Sequence, residues 1–167
     1  SMILGFPKEK NRLLIIDRFV PTYDKDSGSL RMFSLMEILN KLGYKITFLP
    51  DDMLIREPYT SRIKNMGIEV LNGNVDIEEY LRKKGPRFSF VLISRPEQML
   101  KYISLIRTYA VNSTLIYDTV DLHWLRFERT ASVTGNKELT EQAKYYQSVE
   151  LFNSSCSDII FTVTEEE

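Results

Sequence analysis

Apolar positions gather into six short runs along the chain: RLLIID (12–17), YKITFL (44–49), IEVL (68–71), FSFVLIS (88–94), STLIYD (113–118) and DIIFTV (158–163). Each is rich in β-branched, leucine or aromatic residues, the types that suit a pleated strand. Most are continuous rather than alternating, which marks strands covered on both faces, as in a parallel sheet.

Helical periodicity fills the gaps. Residues 27–43 place Leu30, Phe33, Leu35, Ile38, Leu39 and Leu42 at helical spacing, with Gly43 as the stop. Shorter helices are predicted over 59–67 and over 76–85, the second capped by Asp76. Residues 96–110 open on Pro96, favoured in a first helical turn, and turn Leu100, Ile103 and Ile106 or Leu105 inward. A long helix over 136–155 carries Leu139, Ala143, Tyr146, Val149 and Phe152 on one stripe. Between these elements, VPTYDKDSGS and DDMLIREP read as long polar loops, and TASVTGNKE as a third, mobile one. Strands alternating with helices predict right-handed βαβ units. The expected fold is α/β: a Rossmann-like, three-layer α/β/α domain with a mostly parallel sheet of about six strands.

Composition narrows the classes. The chain has 167 residues, 43% apolar and 27% charged, enough for one domain with a real core. No apolar run reaches the roughly 20 residues that span a bilayer. A net charge of −1 gives no general pull toward nucleic acid or anionic membranes. The single cysteine, Cys156, excludes an internal disulfide and a cysteine-rich metal site, and points to a reducing cytoplasmic setting. Residues 1–11 read as a short extension with a tag remnant, and 12–167 as the domain. Thr164 reads as an N-cap before Glu165, Glu166 and Glu167, so the chain is expected to be a fragment of a longer protein.

The candidate chemistry sits where strands end. After the first run, Ser27, Gly28 and Ser29 would offer backbone amides at a helix N-terminus, an arrangement that attracts anions. Gly28 would permit close approach, and Arg31 could add charge. The bland alternative is a cap by Asp26 or Ser27. Neither the dinucleotide fingerprint nor the P-loop pattern is present. After the fifth run, Asp118, Asp121 and His123 could orient a hydroxyl or take a proton. Their spacing is too loose to imply a metal, and Asp121 could simply cap a helix that Trp124 and Phe127 anchor. Arg95 ends the fourth run and could hold a phosphate or carboxylate, or else pair with Asp118 or Glu97. Asp51 and Asp52 end the second run, where they could meet a hydroxyl-rich ligand or simply be solvated.

Three stretches carry a family resemblance. LLIIDRFVPTYDKDSGSLRMFSLMEILNKLGYKITFL resembles the opening strand, glycine-containing loop, long helix and second strand of the N-terminal domain of GT-B glycosyltransferases of the group 1, or family 4, type. TLIYDTVDLHWLR resembles that family's fifth strand and following loop, and NSSCSDIIFTVTEEE its next helix, strand and acidic helix start. The likeness spans nearly all of 12–167. It implies a two-domain, retaining enzyme that moves a sugar from a nucleotide-sugar donor to a glycan or lipid-linked acceptor, as in polysaccharide biosynthesis. It also implies metal independence, no resident cofactor, and a donor-binding C-terminal domain lying outside this chain. A cytoplasmic place follows, at the inner face of a membrane by peripheral association. By that resemblance Ser27, Gly28 and Ser29 line the donor phosphates, the family's basic groups lie mainly in the C-terminal domain, and Asp118 and Asp121 are equal candidates to contact the transferred sugar. The family often has two glycines where this chain has Ser27 and Gly28. It often has a histidine where this chain has Val120, so His123 matches no family position. The alternative reading is a non-catalytic, flavodoxin-like or Rossmann-like ligand-binding or regulatory module. A receiver domain fits poorly, because the first run ends in Asp17-Arg18 rather than an acidic pair.

Overall fold

The computed structural model describes residues 10–162 and, at His123, the backbone alone. The expected N-terminal extension before Lys10 and the expected cap at Thr164 with its glutamates lie outside the described residues.

The elements alternate as the pattern predicts. They are β1 (Arg12–Asp17), α1 (Ser27–Lys41), β2 (Lys45–Pro50), α2 (Tyr59–Asn65), β3 (Glu69–Val70), α3 (Ile77–Lys84), β4 (Phe90–Ser94), α4 (Pro96–Tyr109), β5 (Thr114–Asp118), α5 (His123–Thr134), α6 (Lys137–Cys156) and β6 (Ile159–Phe161). The strands form one sheet in the order β3-β2-β1-β4-β5-β6, and every pairing is parallel. This is a Rossmann-like three-layer α/β/α fold.

Alternation along each strand splits the core in two. Leu13 and Ile15 of β1 meet Met32, Phe33 and Met36 of α1 on one face. Leu14 and Ile16 point the other way, into a cluster with Val91, Ile93, Leu115 and Tyr117 that Met99, Ile103 and Ile106 of α4 cover. Right-handed crossovers account for this, because they put the helices after β1 and β2 on one face and those after β3, β4 and β5 on the other.

Three helices turn differently from the predicted stripes; on α6 Phe152 is exposed, and Glu150 and Asn153 are buried beside Ala143 and Val149. On α1 the buried side is Ser29, Met32, Phe33 and Met36, while Ile38 and Leu42 are 56% and 70% exposed. Arg31, Ile38 and Leu42 recur at intervals of seven and four residues, so they share one flank of the helix. Arg31 reaches Asp118 of β5, which fixes that flank toward the half of the sheet that α1 does not cover. On α4, Leu100 is exposed, and Met99, Tyr102, Ile103 and Ile106 face inward.

TASVTGNKE is not a mobile loop. Helix α5 runs to Thr134, Gly135 takes the left-handed conformation at φ 66°, and the Asn136 side chain accepts from Glu138 N at 2.9 Å to start α6. A two-residue link thus makes a tight helical hairpin. Threonine, valine and serine are weak helix formers, so local propensity hid α5's last turns. Helix α6 is 20 residues, about 30 Å, against about 17 Å for the five residues of β5. Its C-terminal end lies by the start of β5, where Asp158 N donates to Leu115 O. Its first half therefore stands beyond the carboxyl edge of the sheet, with α5 against it.

Candidate functional site at the carboxyl edge of the sheet

The strand order reverses between β1 and β4, and open α/β sheets bind ligands in the crevice at such a point. Here that crevice is framed by the loop after β1, the N-terminus of α1, Arg95 after β4 and the turn after β5.

Helix α1 starts on Asp26. Its Oδ1 accepts from Ser29 N at 2.8 Å and its Oδ2 from Ser29 Oγ at 2.7 Å. Slight burial would raise its pKa, but the Ser29 hydrogen bonds and the charges of Arg95 and Arg18 outweigh that and hold it below the usual carboxylate value. The cap uses the Ser29 amide and buries Ser29. The amides of Ser27 and Gly28 have no protein partner among the described residues.

Gly28 is wedged against the strand ends. A Cβ there would lie 3.3 Å from Arg95 Nη2, 3.4 Å from Asp26 Oδ1 and 3.8 Å from Val120 Cγ1. Arg95 and Val120 both hold positive φ, 78° and 61°. Such backbone is costly for residues other than glycine, most of all for a β-branched one. Two strained residues, from the ends of β4 and β5, thus converge on one glycine.

Two buried ion pairs hold the frame. Arg95 Nε donates to Asp17 Oδ1 at 2.8 Å, and Arg18 N donates to the same oxygen at 2.7 Å. Burial raises the Asp17 pKa, the Arg95 charge and the Arg18 amide pull it down, and the Asp118 charge adds to the rise. Asp118 is more deeply committed. Arg31 grips it with both terminal nitrogens at 2.7 and 2.8 Å, Ser94 Oγ donates at 2.6 Å, and its side chain is 0% exposed. The Asp118 hydrogen bond in turn raises the Arg31 pKa.

This geometry corrects several expectations. Asp118 does not face the crevice. Its oxygens accept from the Arg31 guanidinium and the Ser94 hydroxyl, so it ties α1 to the end of β5. Arg31 pairs with Asp118 through both terminal nitrogens and keeps its side chain 34% exposed. Arg95 pairs with Asp17, neither with Asp118 nor with Glu97. Asp121 does not cap α5, whose N-cap is Leu122 without a side-chain bond. The Asp121 side chain is 46% exposed and pairs with Arg126 Nη1 at 3.1 Å. His123 opens α5, and its side chain lies outside the described residues. Asp51 accepts from Lys101, Tyr102 and Gln98, at 2.5, 2.6 and 3.1 Å, and so ties β2 to α4. Asp52 pairs with Arg56 at 2.6 Å.

Sequence reading missed Asp17 and Arg18 as site residues. Asp17 meets Arg95 across 78 positions, with no local signal to mark the link. Arg18 is exposed, its guanidinium 4.6 Å from the Phe19 ring centroid, and its charge reaches Asp26 beside the free amides. The arrangement can accept an anion: two unpartnered amides at a helix N-terminus, an exposed arginine and a half-buried one at their side. Asp121 can accept from a hydroxyl at the same edge.

Among the described residues no group of three or more His, Cys, Asp or Glu is placed to hold a metal ion, and no helix is long and apolar enough to cross a membrane. The chain matches no family model, and no curated protein matches it.

Proposed function

We propose that this chain is the acceptor-side domain of a GT-B-type glycosyltransferase, which moves a sugar from a nucleoside-diphosphate donor to a glycan or lipid-linked acceptor with retention. The observation that carries the reading is the convergence on Gly28. Free Ser27 and Gly28 amides, Arg18 and Arg95 meet at the switch point, with strained backbone at Arg95 and Val120 holding the strand ends against the glycine. As C1 of the sugar parts from the diphosphate, negative charge grows on the leaving oxygens. Pre-set amides and guanidinium groups meet that charge without a protein nucleophile. In this reading Asp121 contacts a sugar hydroxyl, and Asp17–Arg95 and Arg31–Asp118 keep the crevice in shape. The donor's base and the remaining cationic groups belong to a C-terminal domain of the full protein. Work on polysaccharide at the inner face of a membrane belongs to the same reading.

A second reading is a ligand-binding module without catalysis. It is favoured by the commitment of Asp118 to Arg31 and of Asp121 to Arg126, which leaves no unengaged carboxylate from the original trio in the crevice.

Titration of the chain with UDP, GDP and ADP, followed by backbone amide shifts, tests the shared core of both readings. Shifts confined to Ser27, Gly28, Arg18 and Val120 support the diphosphate site. No shifts at these residues with any of the three would overturn it. Transfer of labelled sugar by the full-length protein then separates the two, and its absence with every common nucleotide-sugar leaves only the binding module.

A further inference from the structure

A hollow between α4 and α6 opens on the same edge of the sheet as the crevice. Glu97, Leu100 and Lys101 from the first turns of α4 form one wall, and Tyr145, Tyr146 and Val149 of α6 the other. Helix α4 begins at Pro96, directly after Arg95, so this wall starts where the crevice ends. The hollow measures about 250 Å³, the room of about eight waters.

Its surface has two characters. Val149 makes an apolar floor, and Leu100 and Tyr145 stay open to solvent, Tyr145 at 59% exposure. Tyr145 meets Tyr146 edge-on at 5.4 Å, and Tyr146 stacks on Phe127 at 5.4 Å, so the ring belongs to an ordered aromatic cluster. The rim is polar. Glu97 accepts the Tyr146 hydroxyl at 2.9 Å through one oxygen, and Lys101 holds Asp51 through an ammonium that has further protons to give.

We propose that this hollow holds one pyranose ring of the acceptor, its C–H face on Tyr145 and Leu100 and its hydroxyls on Glu97 and Lys101. The proposal rests on the glycosyltransferase reading and gives the acceptor a place beside the diphosphate site. Chemistry selects this occupant. A wholly apolar ligand would strip water from a carboxylate and an ammonium and return no hydrogen bond. A charged ligand would be repelled by one of the two. A nucleobase has two flat faces to cover, and only Tyr145 presents an open ring. A neutral polyol with one apolar face satisfies the ring, the carboxylate and the ammonium together.

The test is saturation-transfer and amide-shift NMR on the chain with methyl α-glucopyranoside, methyl α-mannopyranoside and methyl β-galactopyranoside, beside uridine and N-acetyl-leucine amide. At least one glycoside is expected to bind in the millimolar range and to shift Leu100 and Tyr145. Tyr145→Ala should weaken it about fivefold or more, Tyr145→Phe should leave it nearly unchanged, and Glu97→Gln should weaken it about threefold. Tyr145 and Glu97 are exposed, so these variants keep the fold. No response to any glycoside at about 50 mM, a response indifferent to Tyr145→Ala, or binding of uridine or the leucine amide alone would overturn the proposal. Diphosphate titration at Gly28 fails or succeeds separately. Glycoside binding without diphosphate binding leaves a sugar site and removes the transferase. Diphosphate binding without glycoside binding removes the sugar site and leaves the diphosphate site standing.

Discussion

Glu150→Gln tests how α6 is fastened to the sheet. Glu150 is 5% exposed and accepts the hydroxyl of fully buried Tyr117 at 2.5 Å through Oε2. Its Oε1 has no hydrogen-bond donor, and neither has Oδ1 of fully buried Asn153, one turn along the same helix. Asn153 Nδ2 is spent on Pro96 O at 3.1 Å, and the side chains of Glu150 and Asn153 both interact with the Tyr117 hydroxyl. Burial raises the Glu150 pKa first, the Tyr117 hydrogen bond lowers it, and the charges of Glu97 and Asp121 raise it further. The sign follows from linkage. A carboxyl raised in the folded state binds its proton more tightly there, so its contribution is fully present below its unfolded pKa. That contribution is lost as pH rises through the folded value. Glutamine stays neutral, keeps an acceptor for Tyr117 and offers an N–H where two acceptors lack donors. Relieving an unsatisfied buried group is worth about 1–3 kcal/mol. For a chain of this size that is a melting-temperature gain of about 2–4 °C per kcal/mol. Thermal unfolding by circular dichroism at about pH 8 should show the gain, and at about pH 5 it should shrink as the wild-type carboxyl takes its proton. A variant destabilised at both pH values, or stabilised equally at both, would refute the reasoning.

Three further outcomes are expected. Arg31→Met leaves the Asp118 carboxylate buried with only the Ser94 hydroxyl and the distant Val120 amide as donors and should cost about 3–5 kcal/mol, read by urea unfolding; a loss below about 1 kcal/mol would show that the pair does not hold α1. Asp26→Ala removes the α1 cap and should cost about 1 kcal/mol at neutral pH. Because the Asp26 pKa is held low, its contribution stands above its unfolded pKa and fades as pH falls through the folded value, so wild type and variant should converge in acid. Gly28→Ala crowds the Arg95 guanidinium at 3.3 Å and should weaken UDP-induced amide shifts while moving the melting temperature little; undiminished shifts would separate Gly28 from the anion site.

Much of the fold was legible because parallel strands buried on both faces must be continuously apolar, as in RLLIID and TLIYD. The loops that carry Gly28, Arg95 and Asp121 were legible as strand ends for the same reason. What the residues in those loops face was not. Asp118 and Asp121 are both aspartates near one strand end. One is sealed under Arg31 and Ser94, and the other pairs with Arg126 in solvent.

Local pattern determined the order of elements, the parallel class of the sheet and the edge where loops gather, since periodicity and burial are short-range properties of the chain. Tertiary structure alone decided which charges are spent. Asp17 with Arg95, Arg31 with Asp118 and Tyr117 with Glu150 meet across 78, 87 and 33 positions. No window of sequence contains both partners of such a pair. A buried charge must nonetheless find its partner, and that need set Arg31 on Asp118, with Ile38 and Leu42 on the same exposed flank of α1, and set Arg95 on Asp17 beside the one residue that has no side chain to resist it.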